Sequence, residues 1–435
     1  MLSQDIETIF GSWWYPNDPD KLLPGNLIRK SVADWELELL SSFTENANEN
    51  AEVIHGEARG EFYTLLNCRR TSARVCMANS VSSTEVWSIR DGLKGIHLQS
   101  NETPIRTVSL SIEGAQDWTQ ITGLRKQYSQ TVGQDKLDYL YERKQPEDVF
   151  QAVGSISVKF RSVVSSKSKL WEASLQEDTQ IILESSEPMT LQKWKMEVIR
   201  PLQALIQFAT RNGGSVQRVA ILPPDEDKTG EFEADRRWMA WTGHWMIDYP
   251  YVPDRRGFER NLFSLKDMLA SVGSLESWFG LVKRLRSPLL DYLDLSLGSV
   301  SMEYQYFIAS RLLERLLGRK AQSINKLEEF IAKWMDLMPF PKSTPSMLKD
   351  IATLMHDTRN CIAHHRLAEC ERAASGSDLA NLMDFTSILV DCEIASQIGL
   401  PRATVPTAVI DSRRLRRAAL MVQRFSINKN EPTIF

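Results

Sequence analysis

Near its carboxyl end the chain reads Asp357-Thr358-Arg359-Asn360-Cys361-Ile362-Ala363-His364-His365. An arginine, an amide and a histidine stand here in a short apolar run, within a region whose apolar residues recur at helical spacing. Arginine carries a permanent cation with a fork of donors suited to phosphate. Histidine titrates near neutrality and moves protons at cellular pH. The segment therefore places two side chains suited to RNA cleavage on a predicted helix.

Cleavage of this kind needs no metal, because RNA carries its own nucleophile. The ribose 2′-hydroxyl attacks the neighbouring 3′-phosphate while a histidine moves the proton and an arginine stabilises charge on the phosphoryl oxygens. The products end in a 2′,3′-cyclic phosphate and a 5′-hydroxyl. The sequence thus predicts a metal-independent endoribonuclease without a cofactor. Arg359 binds the phosphate, His364 transfers the proton, and Asn360 orients the phosphate or the histidine.

Helix geometry predicts that one copy of the segment makes an incomplete site. Asn360 and His364 are four residues apart and share a face, whereas Arg359 points about 140° away from His364 around the helix axis. Two copies that face each other across a twofold axis bring both arginines and both histidines into one cleft. We therefore expect a composite site in a homodimer or a higher homo-oligomer.

The segment resembles the Arg-x4–6-His signature of the HEPN superfamily, in its Arg-Asn-x3-His form. HEPN domains are compact and all-α, and many prokaryotic ribonucleases contain one. Residues 304–317, YQYFIASRLLERLL, resemble the long HEPN helix that carries an acidic residue near the motif, and Glu314 takes that position. The resemblance implies that Glu314 orients the motif. It also leaves His365 as an alternative to His364, because the family tolerates either spacing. Supporting positions around the motif are His356, Asp357 and His365.

The amino-terminal half carries five short motifs. They are FGSWW (residues 10–14), LPGNL (23–27), IHGE (54–57), FYTL (62–65) and GIH (95–97). Together they resemble the N-terminal domain of ApeA-type proteins, which join this domain to a C-terminal HEPN domain and act in abortive-infection defence against phage. The resemblance implies RNA as the substrate, transfer RNA first, and a phage-derived protein as the trigger.

The charge balance leaves any RNA affinity to local patches. The formal net charge is −4 and 25% of the residues are charged, so the chain lacks the global positive field of many nucleic-acid binders. Each basic patch, taken singly, is more simply a solvated helix face. The candidate patches contain Arg311, Arg315, Arg319 and Lys320 on the presumed HEPN helix, and Arg413, Arg414, Arg416 and Arg417 near the carboxyl end.

The cysteines and the lengths of the apolar runs indicate in which cellular compartment the protein is expected. Five cysteines, an odd number without a Cys-x2-Cys pair, predict neither a disulfide framework nor a zinc module. Residues 1–7 include acidic side chains where a secretory signal has a basic region. No run reaches the length of about 18 apolar residues that a transmembrane helix needs. We expect a cytoplasmic protein that contacts no membrane and binds no metal.

Patterning predicts an α+β fold, β-rich at the amino end and all-α at the carboxyl end. The clearest strands are predicted at residues 35–39, 62–66, 107–112, 156–160, 179–183 and 216–222. Helices are predicted at residues 190–210, with Pro201 discordant, and at 265–270, 275–286, 302–319, 323–335, 346–364 and 378–398. We divide the chain into an ApeA-like domain (1–150), an α+β middle region (151–255) and a HEPN domain (256–435).

Two other interpretations of the motif stay open. In one, the helical domain dimerises or holds RNA or nucleotide without cleaving it, and Arg359 serves as an ion-pair partner of Glu314. In the other, the chain is a housekeeping RNA-processing enzyme with no immune role. His55 and His97 are isolated in the sequence, so we interpret both as hydrogen-bonded structural residues rather than metal ligands.

Overall fold

The computed structural model describes residues 7–31, 34–43, 50–76, 82–131, 134–141, 150–169, 172–211, 214–222, 238–243, 246, 261–271, 274–295, 300–318, 323–364, 370–410 and 412–426. The α+β prediction is confirmed, with strands first and helices after them. The chain divides into two compact units. The first comprises Met1–Gln116, Ile121–Gln203 and Gly214–Tyr251, and the second comprises Asp117–Gln120, Ala204–Gly213 and Val252–Phe435.

The first unit is built mainly from strands. In the described residues these are β1 (Glu7–Trp14), β2 (Leu23–Arg29), β3 (Trp35–Leu39), β4 (Asn50–Ala58), β5 (Glu61–Cys76), β6 (Ser82–Ile89), β7 (Asp91–Lys94), β8 (Ile105–Ile112), β9 (Leu124–Thr131), β10 (Gln134–Tyr141), β11 (Phe150–Val153), β12 (Ile156–Lys169), β13 (Glu172–Met189), β14 (Val216–Ile221) and β15 (Met239–Gly243). All six predicted strands are confirmed, because each coincides with or overlaps one of these.

Six of the strands close into a ring. Each is antiparallel to its neighbours in the order β1, β2, β3, β6, β5, β4 and back to β1. Alternate residues point inward, as burial along Trp35–Leu39 shows, because side chains of a strand alternate between its two faces. The interior holds fully buried side chains that include Trp13, Leu37, Leu65 and Trp87.

Four of the five amino-terminal motifs, FGSWW, LPGNL, IHGE and FYTL, lie on adjoining strands of this ring, and GIH follows β7. Trp13 pairs with Leu23 on one side and with Gly56 on the other. Gly56 also pairs with Tyr63. The Trp13 ring covers Gly56 so closely that a Cβ there would lie 2.1 Å from a ring carbon. The glycine of IHGE is therefore required by packing against the tryptophan of FGSWW.

The long strand β5 leads from this ring into the rest of the sheet. Beyond β5 the order continues β7, β15, β14, β8, β13, β12 and β11. The strands from β11 onward thus continue the same sheet. Strands β9 and β10 pair only with each other among the described strands.

The predicted helix at residues 190–210 is present but not uniform. It runs as α2 (Leu191–Lys193), a π-helical turn (Trp194–Ile199) and α3 (Arg200–Thr210), after the short α1 (Ala115–Thr119). Pro201 has no N–H and cannot donate to the carbonyl four residues before it. The wider π turn directly upstream is a common way to accommodate such an interruption.

Helices dominate the second unit. In the described residues they are α4 (Leu265–Leu269), α5 (Ser274–Leu285), α6 (Ser287–Asp294), α7 (Met302–Leu317), α8 (Ile324–Met335), α9 (Pro345–Ala363), α10 (Gly376–Gln397), α11 (Thr404–Val409) and α12 (Arg413–Ser426). The six helices predicted after residue 263 are confirmed to within two residues at each end, whereas α6, α11 and α12 were not predicted. Helix α10 is the central element, because residues on all its faces are buried between Phe385 and Ala395.

Helix α9 carries the motif, and its amino-terminal end is capped. The Thr344 hydroxyl accepts a hydrogen bond from the backbone N–H of Met347, and Pro345 follows the cap. Such caps satisfy the free donors of a first helical turn. The buried stripe of the helix is Met347, Ile351, Ala352, Met355 and Thr358.

Among the described residues, no helix is both long and apolar enough to cross a membrane.

Candidate active site on helix α9

A pocket of about 200 Å³ opens beside helix α9 in the second unit. Helices α7 and α9 supply most of its wall, and α8 supplies one leucine. Its lining residues are Tyr306, Ser310, Leu313, Glu314, Leu317, Leu327, Met355, His356, Arg359 and Asn360. The structure therefore brings four of the predicted site residues, Glu314, His356, Arg359 and Asn360, into one cavity.

Arg359 and Glu314 form a two-contact ion pair. Nη2 of Arg359 donates to Oε2 of Glu314 at 3.1 Å, and Nε lies 2.8 Å from Oε1. The two side chains are 25% and 30% exposed. Helix α7 thus holds the guanidinium of α9 in a fixed orientation, while solvent still reaches the pair.

Asn360 and His356 extend this contact along the helix. The Oδ1 atom of Asn360 accepts from Nη1 of Arg359 at 2.9 Å, which fixes the orientation of the amide. Its Nδ2 then faces Nε2 of His356 at 3.1 Å. An amide nitrogen only donates, so Nε2 accepts and Nδ1 carries the proton. That Nδ1 lies 3.1 Å from Oδ1 of Asp357. The result is a continuous polar chain, Asp357–His356–Asn360–Arg359–Glu314.

Arg359 retains donors for a further partner. A guanidinium has five N–H groups. Within the described residues, Oε2 of Glu314 accepts from one N–H of Nη2 and Oδ1 of Asn360 accepts from one N–H of Nη1. The Nε atom lies 2.8 Å from Oε1 of Glu314 without a hydrogen bond to it. One N–H on each terminal nitrogen is left over. Two N–H groups on neighbouring nitrogens are the donors with which arginine binds phosphate oxygens.

His364 lies elsewhere. It is the residue that ends α9, its backbone N–H donates to the Asn360 carbonyl at 3.1 Å, and it is exposed. It does not line the pocket among the described residues. A single protomer therefore separates His364 from the Arg359 pocket, as helix geometry leads one to expect. His365 lies outside the described residues.

Cys361 of the motif forms a disulfide that the cysteine pattern, which predicted no disulfide framework, did not indicate. Cys361 and Cys370 are bonded, with Cα atoms 6.3 Å apart, which is within the range that a disulfide spans. The odd cysteine count concealed this pair, because the two residues are nine apart in the sequence and no Cys-x2-Cys spacing marks them. Thr358 adds a second tie at the same place, since its hydroxyl accepts from the backbone N–H of Ala374 at 2.9 Å. Cys68 and Cys392 are buried and unbonded.

Tyr306 joins the floor of the pocket to α9. Its hydroxyl donates to the Met355 carbonyl at 2.9 Å, and the ring is fully buried. Burial raises the pKa of Tyr306 far above its usual value, so the hydroxyl stays protonated as a donor. Sequence reasoning missed this contact. The signal available was the tyrosine two turns before Glu314 on an apolar helix face.

Some arginines of the predicted basic patches are exposed, and others are ion-paired with the central helix. Arg311 and Arg315 are exposed on α7, and Arg413 is exposed on α12. Arg414 corrects the expectation, because its side chain is only 15% exposed and its Nη2 lies 2.9 Å from the fully buried Asp391. Arg414 is thus committed to the core. In the same way Arg417 pairs with Asp384 on the central helix.

The two amino-terminal histidines have the structural role predicted for them. Nε2 of His55 lies 2.8 Å from the Leu98 carbonyl, and Nε2 of His97 lies 3.0 Å from the Gly56 carbonyl. Their rings stack with centroids 4.5 Å apart. Burial lowers the pKa of His55. A ring N–H of each histidine therefore donates to a backbone carbonyl, and the two contacts fix residues 97 and 98 against IHGE.

The chain combines a β-rich amino-terminal unit with a helical unit that carries an arginine-centred polar pocket. A family model described as ApeA N-terminal domain 1 matches residues 8–255, which is more than half of the chain. The chain belongs to this family. Membership indicates an antiphage defence protein. No curated protein and no solved structure matches the chain.

Proposed function

We propose that this chain is a metal-independent endoribonuclease of abortive infection and that its carboxyl-terminal helices form a HEPN domain. The observation that carries the proposal is that Arg359 is held in place and still has N–H donors to spare. Glu314 and Asn360 hold its guanidinium, and two N–H groups on its terminal nitrogens have no partner among the described residues. A pre-oriented cation of this kind stabilises charge that develops on a phosphoryl group without reorganising first.

Each residue of the motif has a distinct role in the proposed reaction. Arg359 binds the scissile phosphate through its remaining donors. His364 moves the proton of the attacking 2′-hydroxyl or of the leaving 5′-oxygen, since a histidine does both near neutral pH. Asn360 and Glu314 keep the guanidinium in place. No step requires a metal, because the ribose supplies the nucleophile.

A second copy of the chain completes the site in this proposal. His364 ends α9, is exposed, and stands outside the Arg359 pocket of its own protomer. In an isologous dimer each protomer presents the same surface to its partner. His364 of one copy is therefore available to meet Arg359 of the other. The substrate we propose is RNA, transfer RNA first, and a phage-derived protein is the proposed trigger.

The test is an RNA cleavage assay with matched variants. Wild type, the Arg359→Ala/His364→Ala double variant and an Arg402→Ala control are incubated with total bacterial RNA in excess chelator. Arg402 is an exposed arginine that does not line the pocket. We expect wild type and the control to cleave, leaving 2′,3′-cyclic phosphate and 5′-hydroxyl ends, and the double variant to be inactive. Equal cleavage by the double variant would refute the proposal. If wild type is inactive alone, the assay is repeated with extract of phage-infected cells.

One observation favours a second candidate, a non-catalytic RNA-binding or dimerisation module. Arg359 is neutralised by Glu314, and His364 is not in the same pocket. An arrangement of this kind also stabilises a fold without chemistry. In that case the double variant would protect cells against phage as well as wild type, and gel-shift experiments would show RNA bound but intact.

A further inference from the structure

We propose that the pocket beside Arg359 is a nucleobase subsite that holds one unpaired base of the RNA and prefers guanine. The inference deepens the proposed ribonuclease function and rests on it for the position of the base next to the cleaved phosphate. The binding of a base is a separate property of the pocket. The size, the walls and the polar edge of the cavity support it.

The size of the cavity suits a single ring system. It measures about 200 Å³. An apolar cavity of about 150 Å³ accommodates benzene, whereas sites for drug-sized ligands span about 300–1,000 Å³. A pocket between these limits admits one nucleobase and excludes a base pair. The RNA must therefore present the base unpaired, as in a loop or at an end, where proteins read RNA sequence.

The walls are apolar, which phosphate binding does not require. Leu313, Leu327 and Met355 are 3%, 8% and 3% exposed, and Leu317 stands at the rim. The flat faces of a base bury well against such side chains, and a methionine thioether makes favourable contacts with aromatic rings. A pocket that bound phosphate alone would gain nothing from these four residues.

The polar edge of the pocket favours a base that donates. An ionised carboxylate has about four lone-pair positions. Within the described residues, Nη2 of Arg359 donates to Oε2 of Glu314 and Nε lies 2.8 Å from Oε1, so acceptor capacity remains on both oxygens. Guanine presents two adjacent donors, N1–H and its 2-amino group, whereas uracil presents a single N3–H. The charge of Glu314 strengthens such hydrogen bonds.

The pocket also places the base beside the phosphate. Glu314 contacts Arg359 directly, and Arg359 lines the same cavity. A base in this cavity and a phosphate on the remaining donors of Arg359 would therefore lie within about one nucleotide of each other along the RNA. Solvent reaches the polar edge of the cavity, since Glu314, Arg359 and His356 are about one-quarter to one-third exposed.

The test measures nucleoside binding by the full chain, because nucleosides carry no phosphate and need no cleavage. Calorimetric titrations use guanosine, adenosine, cytidine and uridine. We expect guanosine to bind at least about tenfold more tightly than uridine, as one two-donor contact gives. Glu314→Gln removes the carboxylate and should abolish this preference. Leu317→Phe narrows the pocket and should weaken the binding of all four nucleosides. Leu337→Phe, at an exposed position outside the pocket, is the matched control and should bind as wild type does.

The outcomes separate the two proposals. Equal affinity for the four nucleosides, or guanosine binding unchanged in Leu317→Phe, would overturn the guanine subsite. RNA cleavage with no nucleoside binding would also overturn it and leave the ribonuclease standing. Guanosine binding without RNA cleavage would support the subsite and count against the ribonuclease. Melting temperatures confirm that each variant is folded before its binding is compared.

Discussion

Replacing Arg359 with lysine keeps the positive charge and removes the fork. The guanidinium contacts Glu314 through Nε and Nη2, contacts Asn360 through Nη1, and has one N–H left on each terminal nitrogen. A lysine ammonium has three donors on one atom, so it cannot hold Glu314 and Asn360 and also grip a phosphate at two points. We expect cleavage to fall sharply in a protein that remains folded.

The structure sets the size of both effects. Losing one donor to developing oxyanion charge typically costs about 100- to 1,000-fold in rate. The ion pair itself is 25% and 30% exposed, so it contributes at most about 1 kcal/mol to stability. For a domain of this size, that loss lowers the melting temperature by about 2–4 °C. Arg359→Lys should therefore be at least about 100-fold slower and nearly as stable as wild type.

The assay is cleavage of a fluorogenic RNA in excess chelator, read beside a thermal melt of the same sample. Arg402→Lys controls for the general loss of a guanidinium and should match wild type in both readouts. Arg359→Lys activity within threefold of wild type would refute the argument from fork geometry. A melting temperature lowered by more than 10 °C would instead make Arg359 a structural residue.

Three further predictions concern stability. Arg414→Ala should lower the free energy of unfolding by about 2–3 kcal/mol in urea titrations, because the buried Asp391 loses one cation; weaker RNA binding at unchanged stability would contradict its core role. Gly56→Ala should cost about 1–3 kcal/mol through overpacking against Trp13, and a wild-type urea midpoint would contradict this. The lowered pKa of His55 means that the unfolded chain binds the proton more readily than the folded chain does. The free energy of unfolding of wild type should therefore fall as pH drops below about 6.5, and that of His55→Gln should fall less. An equal pH dependence in the two proteins would refute this role of His55.

Local patterns predicted the elements of this fold well. Alternating burial at Trp35–Leu39 and the long apolar stripe of α7 have clear periods, so the strand and the helix follow from spacing alone. The closure of six strands into a ring does not. It depends on β1 pairing with β4 and on β3 pairing with β6, and such long-range pairings leave no local period in the sequence. Pro201 indicated a break but not its π-helical form.

The candidate site was also predictable only where local patterns determine it. The contact of Glu314 with Arg359 was expected from the family resemblance, and His356, predicted as a supporting position, contacts Asn360. The Cys361–Cys370 bond was not expected, because it depends on the path of the chain after α9. Arg414 looked like part of an exposed basic run, and its commitment to Asp391 became visible only in the packed helices.

The central claim is a composite site in which Arg359 of one protomer works with His364 of another. Its most direct test mixes two inactive proteins, Arg359→Ala and His364→Ala, after subunit exchange, and measures metal-independent RNA cleavage under the conditions in which wild type is active. Mixed dimers contain one site with both residues intact. If the site is composite, the mixture regains cleavage that neither variant shows alone. A mixture as inactive as its components, beside an active wild type and with exchange verified, would contradict it.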